Sequence, residues 1–450
     1  MKKTLASLLF VLNLALALCA QQNPASARRN VANPEKTLAI THVAVVDVAR
    51  GVVKRDMTLL IAGERIAAVG KSRTVKIPKS VRVINAAGKF LIPGLWDMHA
   101  HIGDEDFDRA AHLRLFIVNG VTGIRIMNGR PAHHGWRREI EGATLLGPRI
   151  VIASQIIDGT GSFVADVLKV HDEEQARIAV REARKQGADF VKVHDNLQRD
   201  MYFAVVAEAK RLGLTFAGHV PFSVTAKEAA EAGQKSIEHF TGLTEAETDT
   251  AQADDLIRIF RKNHTWICPT LIMRNNYAIL DDGGLANDPR LRYMKPSWKK
   301  SWQYMTNESK NVPAKEWVRR KETVRREEAL VGRFQKARVG ILAGTDDGNP
   351  YVMPGFSLHD ELVLLVESGL TPLQALQSAT RSPARFFNQL DSLGTISPGR
   401  FADLVLLNAN PLVDIRNTTR INAVVVNGRF LERRDLDGIL AGIEAAATPR

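Results

Sequence analysis

Residues 93–103 read PGLWDMHAHIG, an apolar run that ends in two histidines two residues apart. On a strand, side chains at i and i+2 share a face, so His99 and His101 point the same way while Met98 and Ala100 turn into apolar packing. This is the geometry of a two-imidazole claw for a metal ion. An isolated H-x-H pair is weak evidence, because two histidines on an exposed edge strand need bind nothing. Its weight comes from later strands that also end in ligating groups.

Working outward, eight apolar segments follow one another: FLIPGLWDMHAH, VTGIRIM, PRIVIASQI, DFVKVHD, LTFAGHV, KSIEHF, TWICPTLIM and VGILAGTDD. Between them lie amphipathic or Ala-rich stretches such as 172–187, 200–212 and 224–233. Such alternation predicts βαβ units and an α/β chain, and eight repeats predict a (β/α)8 TIM-type barrel. An open doubly wound sheet would want a Gly-rich phosphate turn after an early strand, and the sequence offers none. A barrel also explains why polar residues gather at strand C-terminal ends.

The ends of the chain read differently. TLAITHVAVVDV, MTLLIAG, RIAAVG and VRVINAAGKFLI near the start match GTISPGRFADLVLLN and INAVVVNGRFLER near the end, the latter with an Asn427-Gly428 hairpin signal. Both termini are expected to share one small composite β-sandwich domain. The expected division is a signal peptide over 1–27, a first sandwich part over 28–90, the barrel over 91–389 and a second sandwich part over 390–450. The stretch 281–320 fits neither pattern and concentrates Tyr293, Trp298, Trp302 and Tyr304 among charges and prolines, with Trp317 among them. It reads either as a lid over the barrel mouth or as a solvated insertion.

With 450 residues, 45% of them hydrophobic, the chain can bury a large core and exceeds one ordinary compact domain. MKKTLASLLFVLNLALALCA has two lysines and then an apolar stretch broken by Asn13, the layout of a secretory signal peptide, so export to a periplasm or medium is expected. The stretch is short for a bilayer span, and no membrane span is expected once it is removed. A lipoprotein reading of Cys19 is less favoured, because bulky Leu18 precedes it. Without the leader, Cys268 is the only thiol, which excludes an intramolecular disulfide. The net charge of +12 comes from basic residues spread along the chain with no nucleic-acid motif, so a solvated basic surface rather than a nucleic-acid partner is expected. The sequence leaves the oligomeric state open.

Four later strand ends carry metal-binding chemistry. FVKVHDN sets Lys192 between two valines, where an ammonium ion is costly to bury. Reaction with carbon dioxide would make it an anionic carbamate able to bridge two metal ions; the plainer reading is a lysine that snorkels to the rim or pairs with an acid. AGHV carries His219, IEHF carries His239 and LAGTDDG carries Asp346. Singly, each is an ordinary polar residue. Together with the claw they fall at the ends of strands one, four, five, six and eight.

That order resembles the amidohydrolase superfamily, in its binuclear type with a carboxylated lysine, related to imidazolonepropionase-like and Xaa-Pro dipeptidase-like members. The likeness spans nearly all of the chain beyond the leader, including the AGTDDGNP turn and the SPARFFNQLDSLGTISPGRFADLVLLNANP exit. The resemblance implies that His99, His101 and Asp346 hold the more buried metal, that His219 and His239 hold the more exposed one, and that Lys192 as its carbamate bridges them. It implies two divalent ions, zinc being the best match to imidazole and carboxylate ligands, and a metal-bridging hydroxide as nucleophile. Asp346 would be the catalytic acid and base. Deaminases and imidazolonepropionase-like members generally use one metal and lack the strand-four lysine, so Lys192 argues against both.

The expected activity is hydrolysis of a C–N bond in a small-molecule amide, non-peptide or cyclic. The alternatives are an exported dipeptidase of the Xaa-Pro or Xaa-basic type and a catalytically silent binding or structural barrel. Arg125, His194, Arg274 and Tyr351 are the candidate substrate-binding residues, and His359 also has the chemistry to face the pocket. A cationic rim would suit a carboxylate-bearing substrate. Dipeptidase-like relatives often show tyrosine two positions after the strand-four lysine, where this chain has His194.

Overall fold

The computed structural model describes residues 37–448, apart from 244, 245, 247 and 248. The leader expected over 1–27 lies outside the described residues. Among those described, no helix is long and apolar enough to cross a membrane.

Five strands open the chain: β1 (Thr37–Asp47), β2 (Val52–Ala62), β3 (Arg65–Lys71), β4 (Arg82–Asn85) and β5 (Phe90–Pro93). Ten short ones follow: β6 (Leu95–Ala100), β7 (Val121–Ile126), β8 (Arg149–Ile152), β9 (Ile157–Gly159), β10 (Leu168–Val170), β11 (Phe190–Val193), β12 (Thr215–Gly218), β13 (Ser236–Glu238), β14 (Trp266–Cys268) and β15 (Gly340–Ile341). Three more close it: β16 (Leu404–Leu407), β17 (Ile421–Val426) and β18 (Arg429–Glu432).

Strands from both ends share one sheet, in the order β18-β17-β16-β5-β1-β2-β3, with β4 on β1. Hydrogen bonding therefore runs unbroken from the strands of one terminus to those of the other. β1 makes this possible: register shifts between Ile40 and Val45, with His42 at φ 57, bend it so that its first half pairs with β4 and its second with β5. The folded sheet encloses an aliphatic core of Ile40, Val43, Leu59, Ile61, Leu91, Leu404 and Val425.

The ten central strands form two parallel sheets, β6-β7-β8 and β10-β9-β11-β12-β13-β14-β15. Their margins meet at two seams. At one, Ser154 N–H donates to Phe190 O (2.8 Å); at the other, Met98 N–H donates to Ala343 O (2.9 Å) and Asp346 N–H to His99 O (2.8 Å). Gly344 permits the second approach, since a Cβ there would stand 2.5 Å from Cys268 Sγ and 2.8 Å from His99 N. Helices cross between strands, as expected. Glu173–Gln186 is a clean case: Asp172 caps it by accepting from Gln175 N–H, acids open it, Arg184 and Lys185 end it, and Gly187 at φ 88 turns the chain back. All eight expected barrel segments contain strands. TWICPTLIM is shorter than expected, however: the strand stops at Cys268, Pro269 cannot extend the ladder, and a helix runs over Leu271–Ala278. The stretch 281–320 holds two 3₁₀ turns, the helix Pro296–Ser309 and the start of the long helix Ala314–Lys336.

Candidate metal centre

His99 belongs to β6 and His101 lies just past its end, Lys192 sits in β11, His219 and His239 directly follow β12 and β13, and Asp346 lies beyond β15. The C-terminal ends of the parallel strands bring these residues together. Nε2 of His99 and of His101 are 3.3 Å apart. Asp346 Oδ1 lies 3.1 Å from His101 Nε2 and 3.5 Å from His99 Nε2, and its Oδ2 is 3.6 Å from His239 Nε2. His219 joins through its ring, 5.0 Å from that of His239. Lys192 is 1% exposed, and its Nζ has no hydrogen-bond acceptor among the described residues. It is close enough for Glu238 and Asp346 to act on its charge, but burial dominates and lowers its pKa.

The second nitrogen of three imidazoles is held by another side chain. His99 Nδ1 donates to Glu238 (2.9 Å), His219 Nδ1 donates to Asp195 (2.8 Å), and His239 Nδ1 lies 2.6 Å from Thr270 Oγ1. An ionised carboxylate only accepts, so Nδ1 of His99 and of His219 carries the proton and Nε2 presents a lone pair to the cluster. This is how ligating histidines are commonly oriented around metals. Burial keeps all three rings neutral: His99 is pushed down to about 4, and His219 and His239 are also well below the ordinary range. Burial works to raise the carboxyl of Asp346, but His239, His99 and His101 outweigh it and keep the group ionised. Among the described residues three sets of ligand atoms lie within reach of a single ion: His99, His239 and Asp346; His194, Asp195 and His219; and His99, Glu238 and Cys268. Neutral imidazoles and carboxylates fit divalent cations of the zinc type.

A buried polar scaffold supports this cluster. Arg125 is 0% exposed and donates to Met98 O, Ser236 Oγ and both oxygens of Glu238. β7 and β13 belong to different sheets, so this ion pair ties the two parallel sheets together. Asp97 accepts from the N–H of His99 and from Thr345 N–H and Oγ, tying β6 to the turn that carries Asp346; burial and nearby Asp347 push its carboxyl up to about 8. A second chain starts in the 281–320 stretch. Lys295 Nζ donates to Asp108 (3.2 Å), Asp108 faces His112 Nδ1 (3.4 Å), His112 Nε2 donates to Asp347 (2.6 Å), and Asp347 accepts from the backbone N–H of His101 (2.7 Å). Burial opposes protonation of His112, but the two carboxylates prevail and raise its pKa. Both His239 (φ 58) and Asp346 (φ 60) have left-handed backbone, a conformation that costs a non-glycine residue roughly 1–3 kcal/mol and gathers at functional sites.

The candidate substrate residues fare unevenly. Arg125 is a correction: wholly buried and spent on Glu238, it offers no donor to a substrate. Arg274 is another: it forks onto buried Glu327 (2.9 Å) and borders a different cavity. Tyr351 is buried, with its hydroxyl 2.7 Å from Thr306 Oγ1. His359 bridges Asn119 O and Thr418 Oγ1 in the core. Only His194 adjoins the cluster, its ring 4.0 Å from that of His219 and its Nδ1 3.0 Å from Asp158. The cavity of about 440 Å³ over His101 and Asp346 is lined instead by Asp104, Glu105, Asn128, Arg130, Lys295 and Trp298. Sequence reasoning missed Glu238, Asp195, Thr270, Asp97, His112 and Lys295. For Glu238 and Arg125 a signal existed, since each interrupts an apolar strand, in SIEHF and GIRIM, with opposite charge.

Comparison with known proteins bears on the family of the chain. The model of the amidohydrolase family matches residues 90–431. The ochratoxinase of Aspergillus niger is 24% identical over 472 residues, covering 90% of this chain and 89% of that protein. Among solved structures, a bottromycin amidohydrolase superposes with a TM-score of 0.76 at 26% identity, covering 96% of this chain and 95% of that one. A Xaa-Pro dipeptidase with bound methionine in its active site does so with a TM-score of 0.68 at 23% identity, covering 88% and 100%. The family match covers most of the chain, including every residue of the histidine cluster, and so the chain belongs to the amidohydrolase family of hydrolases.

Proposed function

We propose that the chain is a metal-dependent amidohydrolase that cleaves the C–N bond of a small amide, with eight of its parallel strands closing a (β/α)8 barrel around the site. The observation that carries this reading is the set of buried imidazoles in which His99 and His239 turn Nε2 toward Asp346, His219 stands beside His239, and Glu238, Asp195 and Thr270 hold the Nδ1 atoms of His99, His219 and His239. His99, His101 and Asp346 would hold one divalent ion, and His219 and His239 a second. Two such ions, zinc in this proposal, supply hydroxide near neutral pH and polarise a carbonyl oxygen. Burial lowers the pKa of Lys192 and so favours the neutral amine, the form that makes a carbamate with carbon dioxide, giving up a proton as the N–C bond forms.

Asp346 accounts for the proton transfers. Ionised and beside three imidazoles, it takes the proton of the attacking water and delivers it to the departing nitrogen, acting first as base and then as acid. His112 and Asp347 hold the backbone of His101, and Arg125 holds Glu238, so both pairs act by positioning other residues.

A second reading, dipeptide hydrolysis, draws support from the likeness to a Xaa-Pro dipeptidase and from the cavity wall, where acids and cations stand together as a zwitterion requires. For its location, the leader read in the first 27 residues makes the enzyme an exported one. The test is metal analysis of the purified protein together with a hydrolysis panel of N-acyl amino acids, cyclic amides and dipeptides. About two ions per chain and turnover of an amide are expected; a metal-free protein inert to the whole panel would point to a silent barrel.

A further inference from the structure

The opposite end of the parallel strands carries a second site. Lys235 immediately precedes β13, Trp266 opens β14 and Arg338 stands just before β15, so these residues gather at the N-terminal ends of strands whose C-terminal ends lead to His239, Thr270 and Asp346. With Arg261 and Arg385 they line a cavity of about 500 Å³, within the usual range for small-ligand sites. Its floor is aromatic. Lys235 Nζ lies 4.6 Å from the centre of the Phe386 ring, and the Arg385 guanidinium 5.8 Å from that of Trp266.

What singles out this cavity is its charge. No aspartate or glutamate lines it, and none of Lys235, Arg261, Arg338 and Arg385 makes an ion pair among the described residues. Elsewhere the chain pairs cations that it buries: Arg125 with Glu238, Arg149 with Asp403, Arg274 with Glu327, and Lys295 with Asp108. Arg261, Arg338 and Arg385 are exposed, whereas Lys235 is half-buried and lacks such a partner. Burial, followed by the charge of Arg125, lowers its pKa. Four like charges around one cavity repel one another, and an anion of several charges relieves that repulsion.

We propose that this cavity is an anion site for a small polyphosphate, either free or esterified to a planar base that stacks on Trp266. The proposal is independent of the reaction at the histidine cluster. It assigns no catalytic part to these residues, which touch none of the ligating groups.

Calorimetric titration of the metal-loaded chain with inorganic pyrophosphate and with ATP tests it, on the unsubstituted protein, on Lys235→Gln and on Arg338→Gln. Saturable one-to-one binding is expected, at least tenfold weaker in each variant and weaker with added salt, while hydrolytic turnover is unchanged. Arg338 is exposed, so its variant still decides the matter if Lys235→Gln folds poorly. Tighter binding of ATP that falls to the pyrophosphate level in Trp266→Leu assigns the base to the ring, and equal affinities assign the site to the phosphates alone. Binding that both variants retain but chelation abolishes places the anion on the metal centre and overturns the proposal. So does the absence of saturable heat, or equal non-saturating binding of any polyanion.

Discussion

Asp346 combines three properties rarely found in one residue: a left-handed backbone, a carboxylate kept ionised despite burial, and contact with three imidazoles. Asn is nearly isosteric and tolerates the same backbone, but it cannot take up a proton. Asp346→Asn is therefore expected to keep its fold and part of its metal while losing at least about a hundredfold in turnover; near-normal rates in that variant would refute the role. A pH effect belongs to a different residue. His359, locked between Asn119 and Thr418, is pushed down to about 4 by burial, although Asp360 works to raise it. Its unfolded value lies near 6.5, so between these values the unfolded chain binds the extra proton. The stability it contributes is intact above pH 6.5 and is lost as pH falls toward 4, amounting to about 2 kcal/mol at pH 5. Urea unfolding at pH 7 and pH 5 should show a drop that is smaller by about this amount in His359→Gln than in the unsubstituted protein.

At the scale of elements, the helix Leu271–Ala278 links the metal centre to the long helix Ala314–Lys336. It begins one residue after Thr270, whose hydroxyl orients His239, and it carries Arg274, which neutralises Glu327 on the long helix. Glu327 is buried, so Arg274→Ala leaves a carboxylate uncompensated, at a cost of about 3 kcal/mol in chemical denaturation. Because Arg274 is engaged by Glu327 and borders a cavity other than the one over His101 and Asp346, KM for a carboxylate-bearing substrate should not change. A selective rise in KM at normal stability would restore the role that the sequence suggested for it. The stretch 281–320 is likewise not free of the core. Lys295 ties it through Asp108, His112 and Asp347 to the backbone of His101, which means neither simple alternative, a lid or a solvated insertion, describes it fully.

For the molecule as a whole, metal and fold are expected to be coupled, since the converging imidazoles and carboxylates exist as a set only in the folded chain. Exhaustive chelation should lower the melting temperature on the order of 10 °C, with recovery on restoring zinc; identical melting curves would mean that no ion is held tightly. The sequence by itself determined the alternation of strands and helices, the pairing of the two termini and the metal-type residues at strand ends, because periodicity and ligand chemistry are local properties. Arg125 and Arg274 show where that legibility stopped. Whether an arginine meets a substrate or a buried glutamate depends on residues more than 50 positions away, Glu238 for one and Glu327 for the other. The orienting groups Asp195, Thr270 and Asp347 were unreadable for the same reason: a hydrogen bond needs two atoms at contact distance, and only the tertiary structure brings those pairs together.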